Sequence, residues 1–242
     1  MATEKILIFG DSHSRYFEKN RKVVTHAPWV KDLNIDLKKV PASTIVGLGR
    51  KRSTLGLRDI IQEKIDNNPG SYAVFCFGQV DLELGYYYRR VIKGEDIAYP
   101  DFIFYLTNQY EDFIKSFDDI KVVVKGLNLT VLKDPDFAVK YVSRIISENI
   151  DDKDEANEAK SKLIDIYDGF SVRNKATLDF NSEMKNICAR NNWKYFDINY
   201  ELSSYKPGKG IDDIYVPSGD DHHLCDSIQT RILHLSYLKK LL

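Results

Sequence analysis

Lys5-Ile-Leu-Ile-Phe-Gly-Asp-Ser-His13 passes within nine residues from an apolar, β-favouring run to a turn. A short apolar run closed by Gly and Asp reads as a buried strand ending at residue 9, with a loop beginning at Gly10. Similar runs recur at Asp36 to Val40, Tyr72 to Phe77, Lys121 to Val124 and Trp193 to Ile198. Patterns with helical spacing separate them: Leu57 to Ile65, Phe102 to Phe117, Asn174 to Asn191 and a last helix from Ser227 to Leu241. This alternation predicts an α/β fold, a three-layer α/β/α sandwich around a mainly parallel five-stranded sheet. In such sheets ligands bind beyond the C-terminal ends of the strands, so the residues just after each run carry the functional reading.

At 242 residues the chain has the length of a single domain spanning 1–242. The stretch near 134–168, with its charged Asp151-Asp-Lys-Asp-Glu-Ala-Asn-Glu segment, reads as a helical insertion. The balance of 35 Lys and Arg against 36 Asp and Glu offers none of the broad positive field that nucleic-acid binding requires. The first apolar run is too short for the core of a signal peptide, and no stretch approaches the roughly 20 apolar residues of a membrane span. The expectation is a soluble, cytoplasmic protein. Three widely spaced cysteines, Cys76, Cys188 and Cys225, form no CxxC pair and are expected to be free thiols.

Gly10-Asp11-Ser12-His13 places a serine at the turn leaving the first strand, where its hydroxyl faces the cleft and nearby backbone N–H groups face an incoming oxyanion. A serine hydroxyl is a weak nucleophile until an imidazole takes its proton and a carboxylate holds that imidazole. Ser218-Gly-Asp-Asp-His-His-Leu224, before the last helix, supplies both groups, with Asp220 and His223 three apart on one short turn.

Together, Gly-Asp-Ser after the first strand, Gly78-Gln-Val-Asp81 after the third run and Asp220-x-x-His223 before the final helix resemble the SGNH (GDSL-like) hydrolases in block order from end to end. The resemblance implies a serine-dependent acyl-ester hydrolase or O-acyltransferase, with Ser12 as nucleophile, His223 as base and then acid, and Asp220 as the orienting carboxylate. It also implies an oxyanion hole of the Ser12 N–H, a backbone N–H after the second strand and an Asn side chain from the third block. Ala42 occupies the likely glycine position of the second block, with Gly47 as the competing choice. The family's Asn falls on Val80 or, by chemistry, on Gln79, and Gln79 is preferred because its amide can donate. A further likeness to SGNH-like proteins of bacterial polysaccharide biosynthesis points to a glycan or other small acyl ester as substrate.

Substrate-binding candidates are Asp11, His13 and Asp81 around the blocks, Arg50 in the basic Gly49-Arg-Lys-Arg-Ser53 segment, and Tyr86 and Arg89 in Gly85-Tyr-Tyr-Tyr-Arg-Arg90. Tyrosine faces stack on sugar rings and arginine forks match carboxylates, whereas core tyrosines beside surface arginines would give the same pattern. No metal and no required cofactor are expected, and the basic segment leaves acetyl-CoA open as an acyl donor. The sequence does not settle the oligomeric state. Two rivals stand beside the serine reading. Gly-Asp-x-His also matches a block of metal-dependent phosphoesterases, for which Asp11, His13, Asp81, His222 and His223 would gather around two ions, although that family's Gly-Asn-His block is missing. The other is a catalytically weak glycan- or CoA-binding module of the same fold.

Overall fold

The computed structural model describes residues 4–49, 56–148, 150–204, 206, 209–219 and 221–242. Five strands, β1 (Lys5–Gly10), β2 (Asn34–Lys39), β3 (Tyr72–Cys76), β4 (Lys121–Lys125) and β5 (Lys194–Phe196), form one sheet in the order β2-β1-β3-β4-β5. Every pairing is parallel. The helices are α1 (Arg21–His26), α2 (Ile45–Leu48), α3 (Leu57–Asp66), α4 (Tyr86–Val91), α5 (Tyr99–Lys115), α6 (Pro135–Ile146), α7 (Lys153–Ile166), α8 (Phe170–Arg190), α9 (Asn199–Leu202) and α10 (Ile228–Leu241). The expected α/β sandwich is the observed architecture.

Side-chain alternation along the strands divides the core into two layers. Leu7 and Phe9 of β1, Ala73 and Phe75 of β3 and Val122 and Val124 of β4 point to one face, where they meet α3, α5 and α8. Ile6, Ile8, Tyr72, Val74, Cys76 and Val123 point to the other, against α1, α10 and the 3-10 turn Ser12–Phe17. A parallel sheet covered on both faces needs apolar residues at every position, and β3 is buried throughout. The edge strand β2 is half exposed, which its polar sequence Asn-Ile-Asp-Leu-Lys-Lys allows. It begins two residues before the expected Asp36 because the preceding 3-10 turn ends at Asp32 and releases the chain there. The three cysteines are free thiols. Among the described residues no helix is long and apolar enough to cross a membrane.

The order 2-1-3-4-5 places β1 between β2 and β3, so the strand order reverses at β1 and β3 and a crevice opens beyond their C-terminal ends. Gly10 sits at that edge. A Cβ built there would lie 2.7 Å from the Cys76 carbonyl oxygen and 2.6 Å from Ser14 Cβ, so only glycine lets β1 end this close to β3. Gly78, at φ +112°, turns the chain sharply out of β3 into the third block.

Replacing Gly10 by alanine should therefore cost at least about 1–3 kcal/mol of stability, the usual penalty of overpacking, measured by urea unfolding; a change below about 0.5 kcal/mol would show that the strand ends have room to part.

Candidate active site

The turn leaving β1 is tied down before Ser12 is presented. Asp11 is fully buried and caps the 3-10 turn, its Oδ1 accepting the His13 N–H at 2.8 Å, while the Ser14 hydroxyl donates to the Asp11 carbonyl at 2.7 Å. Ser12, the first residue of that turn, has its side chain partly open to solvent. Its Oγ lies 2.6 Å from His223 Nε2, across 211 residues of sequence. On the other edge of the same ring, His223 Nδ1 meets Asp221 Oδ1, which also accepts the His223 backbone N–H at 3.2 Å. Arg15, one turn after Ser12, reaches Asp221 Oδ2 at 3.4 Å. Serine, imidazole and carboxylate thus form a continuous line.

The carboxylate in that line is Asp221, where the Asp-x-x-His spacing pointed to Asp220, a residue outside the described ones. A ring nitrogen carries at most one proton, so His223 Nδ1 has one strong partner, and Asp221 occupies that place. Burial alone would raise the Asp221 carboxyl, but the hydrogen bond and charge of His223 outweigh it and bring it down to about 2. Burial, with neighbouring His222, pushes His223 below its ordinary imidazole value against the pull of Asp221. The resting pair at neutral pH is an ionised Asp221 and a neutral His223, whose Nε2 accepts from Ser12.

Other sequence candidates are differently engaged. Gln79 is buried, and its amide is spent on structure. Its Nε2 donates to the Asn128 carbonyl and to Glu83 Oε1, both at 3.0 Å, and its Oε1 accepts the Asn128 N–H at 2.9 Å. With both N–H groups committed, Gln79 is no oxyanion donor, and Val80 has no polar group to offer. Asp81 is equally occupied: it accepts the backbone N–H groups of Ile45 at 2.7 Å and Val46 at 3.2 Å, so it fixes the start of α2 rather than meeting a substrate. Burial pushes its carboxyl up to about 7 despite those bonds.

Tyr86 is buried in a stack on Tyr99 with ring centres 3.9 Å apart. Arg89 pairs with Glu95 at 2.7 Å and lies over Tyr105, so the Tyr-Arg segment packs α4 against its neighbours and leaves neither group to a ligand. Arg50 and the rest of the basic segment up to Leu55 lie outside the described residues. Ala42 is exposed at φ +59°, in the turn where the Ser43 N–H and hydroxyl both bond the Val40 carbonyl. That is the left-handed conformation that glycine adopts freely and alanine at some cost.

Sequence reasoning missed a second imidazole pair. His222, 6% exposed, places Nδ1 2.9 Å from Oε2 of the buried Glu83. Asp81 and Glu83 are two apart on a helical turn and so point to opposite sides, one to α2 and the other to His222. An acidic residue inside the apolar Leu82-Glu-Leu84 was the signal. His13 completes the group, its ring stacked on His223 at 4.2 Å and edge-on to His222 at 4.6 Å. Its side chain is buried among the other imidazoles, not open to the cleft as a substrate-binding residue would be, and Asp11 is buried beneath it. Next to Asp221 a cleft of about 280 Å³ opens, lined by Val131, Lys133, Phe137, Val216 and Ser218 among others.

In sequence the chain matches no family model and no curated protein. In structure it is similar to Est24, a carbohydrate acetylesterase from Sinorhizobium meliloti, with TM-score 0.55 and 12% identity over 99% of this chain and 100% of that one. A GDSL-like lipase from Bacteroides thetaiotaomicron gives TM-score 0.53 and 13% identity over 99% and 90% of the two chains. The acetyl xylan esterase AlAXEase gives 0.51 and 14% over 97% and 98%. The chain has the fold of the GDSL-like, or SGNH, hydrolases.

Because its amide serves the loop after β4, Gln79→Ala should lose on the order of 2 kcal/mol or more of stability, by leaving the Asn128 backbone groups and one Glu83 oxygen without the partner Gln79 supplies. Urea unfolding checks this, and an unchanged midpoint would show that Gln79 is free for another task.

Proposed function

We propose that the protein is a serine-dependent acyl-ester hydrolase or acyltransferase that works through Ser12, His223 and Asp221. The line from Ser12 Oγ to His223 Nε2 at 2.6 Å and from His223 Nδ1 to Asp221 carries the reading. As Oγ attacks the ester carbonyl, His223 Nε2 takes its proton, and ionised Asp221 stabilises the imidazolium through Nδ1–H. The tetrahedral oxyanion is held by backbone N–H groups, those of Ser12 and Ala42. His223 then returns the proton to the leaving alcohol. The acyl group stays on Ser12 until water or a sugar hydroxyl, deprotonated by the same imidazole, removes it.

The substrate we assign is a small acyl ester of a carbohydrate. Two of the similar structures are named for acetyl-ester cleavage on carbohydrates, which supports this reading. With Gln79 committed elsewhere and Val80 apolar, the oxyanion has no side-chain amide from the third block. One missing donor costs about 10²–10³ in rate, so turnover on simple esters should be slow. The metal-dependent phosphoesterase is disfavoured because Asp81, one of its ligands, is consumed by Ile45 and Val46.

Hydrolysis of p-nitrophenyl acetate tests the reading. Activity should survive EDTA and fall by at least about 10³-fold in Ser12→Ala; activity that persists in Ser12→Ala, or that EDTA abolishes, would overturn it. Asp221→Asn should lower kcat by about 10²–10⁴ whereas Asp220→Asn leaves most of it, and the reverse order would return the carboxylate role to Asp220. Since the base must be neutral and its pKa is depressed, kcat/KM should rise with pH on a limb whose midpoint lies below the ordinary imidazole value of 6.5. A midpoint above that value would mean that His223 is not the base.

A further inference from the structure

Three imidazoles crowd the site where the proposed chemistry uses one. One ring nitrogen from each of His13, His222 and His223 lies within 4.8 Å of the other two. Each ring also has its Nδ1 on a different carboxylate: His13 on Asp11 at 3.2 Å, His222 on Glu83 at 2.9 Å, and His223 on Asp221. An ionised carboxylate only accepts, so each Nδ1 carries the ring proton and each Nε2 keeps its lone pair. A carboxylate behind the far nitrogen is the usual support of a metal-bound histidine, because it fixes the tautomer and makes the ligand nitrogen more basic.

A second observation points the same way. His13 is 6% exposed, and its Nε2 is buried without a hydrogen-bond partner. An imidazole nitrogen in that position has lost its water and gained nothing in return. Pocket packing does not need a nitrogen there, since a phenyl edge would fill the same space.

We propose that His13, His222 and His223 bind one zinc-class divalent cation through their Nε2 atoms, and that the bound ion switches the serine centre off. The inhibitory half rests on the serine reading; the binding half does not. Three neutral nitrogens without a thiolate suit zinc and its borderline neighbours better than magnesium or calcium. Zinc–nitrogen bonds of about 2.0–2.1 Å place tetrahedral ligands about 3.3 Å apart, so the rings must close in and the His13–His223 stack must tilt open. That rearrangement makes the site weaker than one already at bonding distance, as a reversible inhibitory site should be. Once coordinated, the His223 Nε2 lone pair is no longer available to the Ser12 hydroxyl. The bond exchanged is N···H–O for N–metal, with no redox change and no proton lost from the rings.

Isothermal titration of metal-free protein with zinc chloride tests the proposal. Wild type and Ser12→Ala should each bind one equivalent, while His13→Ala and His222→Ala, checked for a native circular dichroism spectrum, should bind at least about tenfold more weakly. Cobalt(II) added to Ser12→Ala should give the intense visible absorption of a tetrahedral site. That readout needs no histidine variant to fold. No zinc uptake by wild type, an octahedral cobalt spectrum, or equal affinity in folded His13→Ala and His222→Ala would each overturn the site. Zinc should also suppress ester hydrolysis, with EDTA restoring it, and zinc that binds without inhibiting would overturn the switch. Zinc binding by a protein whose Ser12 neither hydrolyses esters nor takes up a fluorophosphonate would contradict the serine reading, and with it the switch, while leaving the zinc site standing, so the two failures are distinguishable.

Discussion

Backbone leaving β4 runs through the interior from Leu127 to Thr130, and its polar groups have to be satisfied there. Four successive N–H groups each find a side-chain amide oxygen: Leu127 on Asn181, Asn128 on Gln79, Leu129 on Asn199 and Thr130 on Asn174, all between 2.7 and 3.0 Å. The amides come from α8, from the block after β3 and from the start of α9, so one segment locks three others to the sheet edge. Gln79 is the branch that leads to the site, because its second N–H holds Glu83, and Glu83 holds His222 beside His223. The network is costly if broken, since each orphaned buried group costs about 1–3 kcal/mol. It thereby fixes the floor on which the imidazoles rest.

Above that floor the site joins the two ends of the chain. Ser12 comes from the first strand and His223 from the loop before the last helix, and α10 lies against the turn that presents Ser12. Arg231 of α10 donates to the carbonyls of Arg15 and Glu18 at 3.0 and 2.8 Å, and Tyr16 donates to the Leu224 carbonyl at 2.9 Å. These bonds set the reach between Ser12 and His223 without touching either side chain, so their 2.6 Å approach is a consequence of how the terminal elements dock. Lys125, buried in the same region and lowered to about 8 by that burial, faces Asp11 across the end of the sheet. Asp11, pushed up to about 6 mainly by burial, is shielded from solvent and left to cap the turn that presents Ser12.

The sheet was legible because short continuous apolar runs closed by turn residues are set by local burial, and all five strands fall within two residues of their expected places. Ser12 and His223, which the fold brings together, could be singled out for a related reason: each follows a turn signal at a sheet edge. Asp221, which meets His223 Nδ1, could not be singled out, since its neighbour Asp220, outside the described residues, has the same chemistry and the family spacing favoured it. Gln79 misled for a physical reason. An amide beside a nucleophile and an amide bridging a buried loop have the same composition and differ only in what lies opposite, which here is Asn128 from 49 residues away. Tyr86 and Arg89 were ambiguous in the same manner, and packing against α5 resolved them. Glu83 stood out only as an acid inside an apolar run and His222 only as a ligand in the rival metal reading, so their pairing across 139 residues emerges from the fold.

In the proposed mechanism Ser12 is made nucleophilic by His223. Treating the native protein with a fluorophosphonate and reading the intact mass, followed by peptide mapping, addresses it without any knowledge of the natural substrate. A single adduct on Ser12 that forms in wild type and fails to form in His223→Ala is the predicted result. An unmodified wild type, an adduct on another residue, or equal labelling of Ser12 in His223→Ala would contradict it.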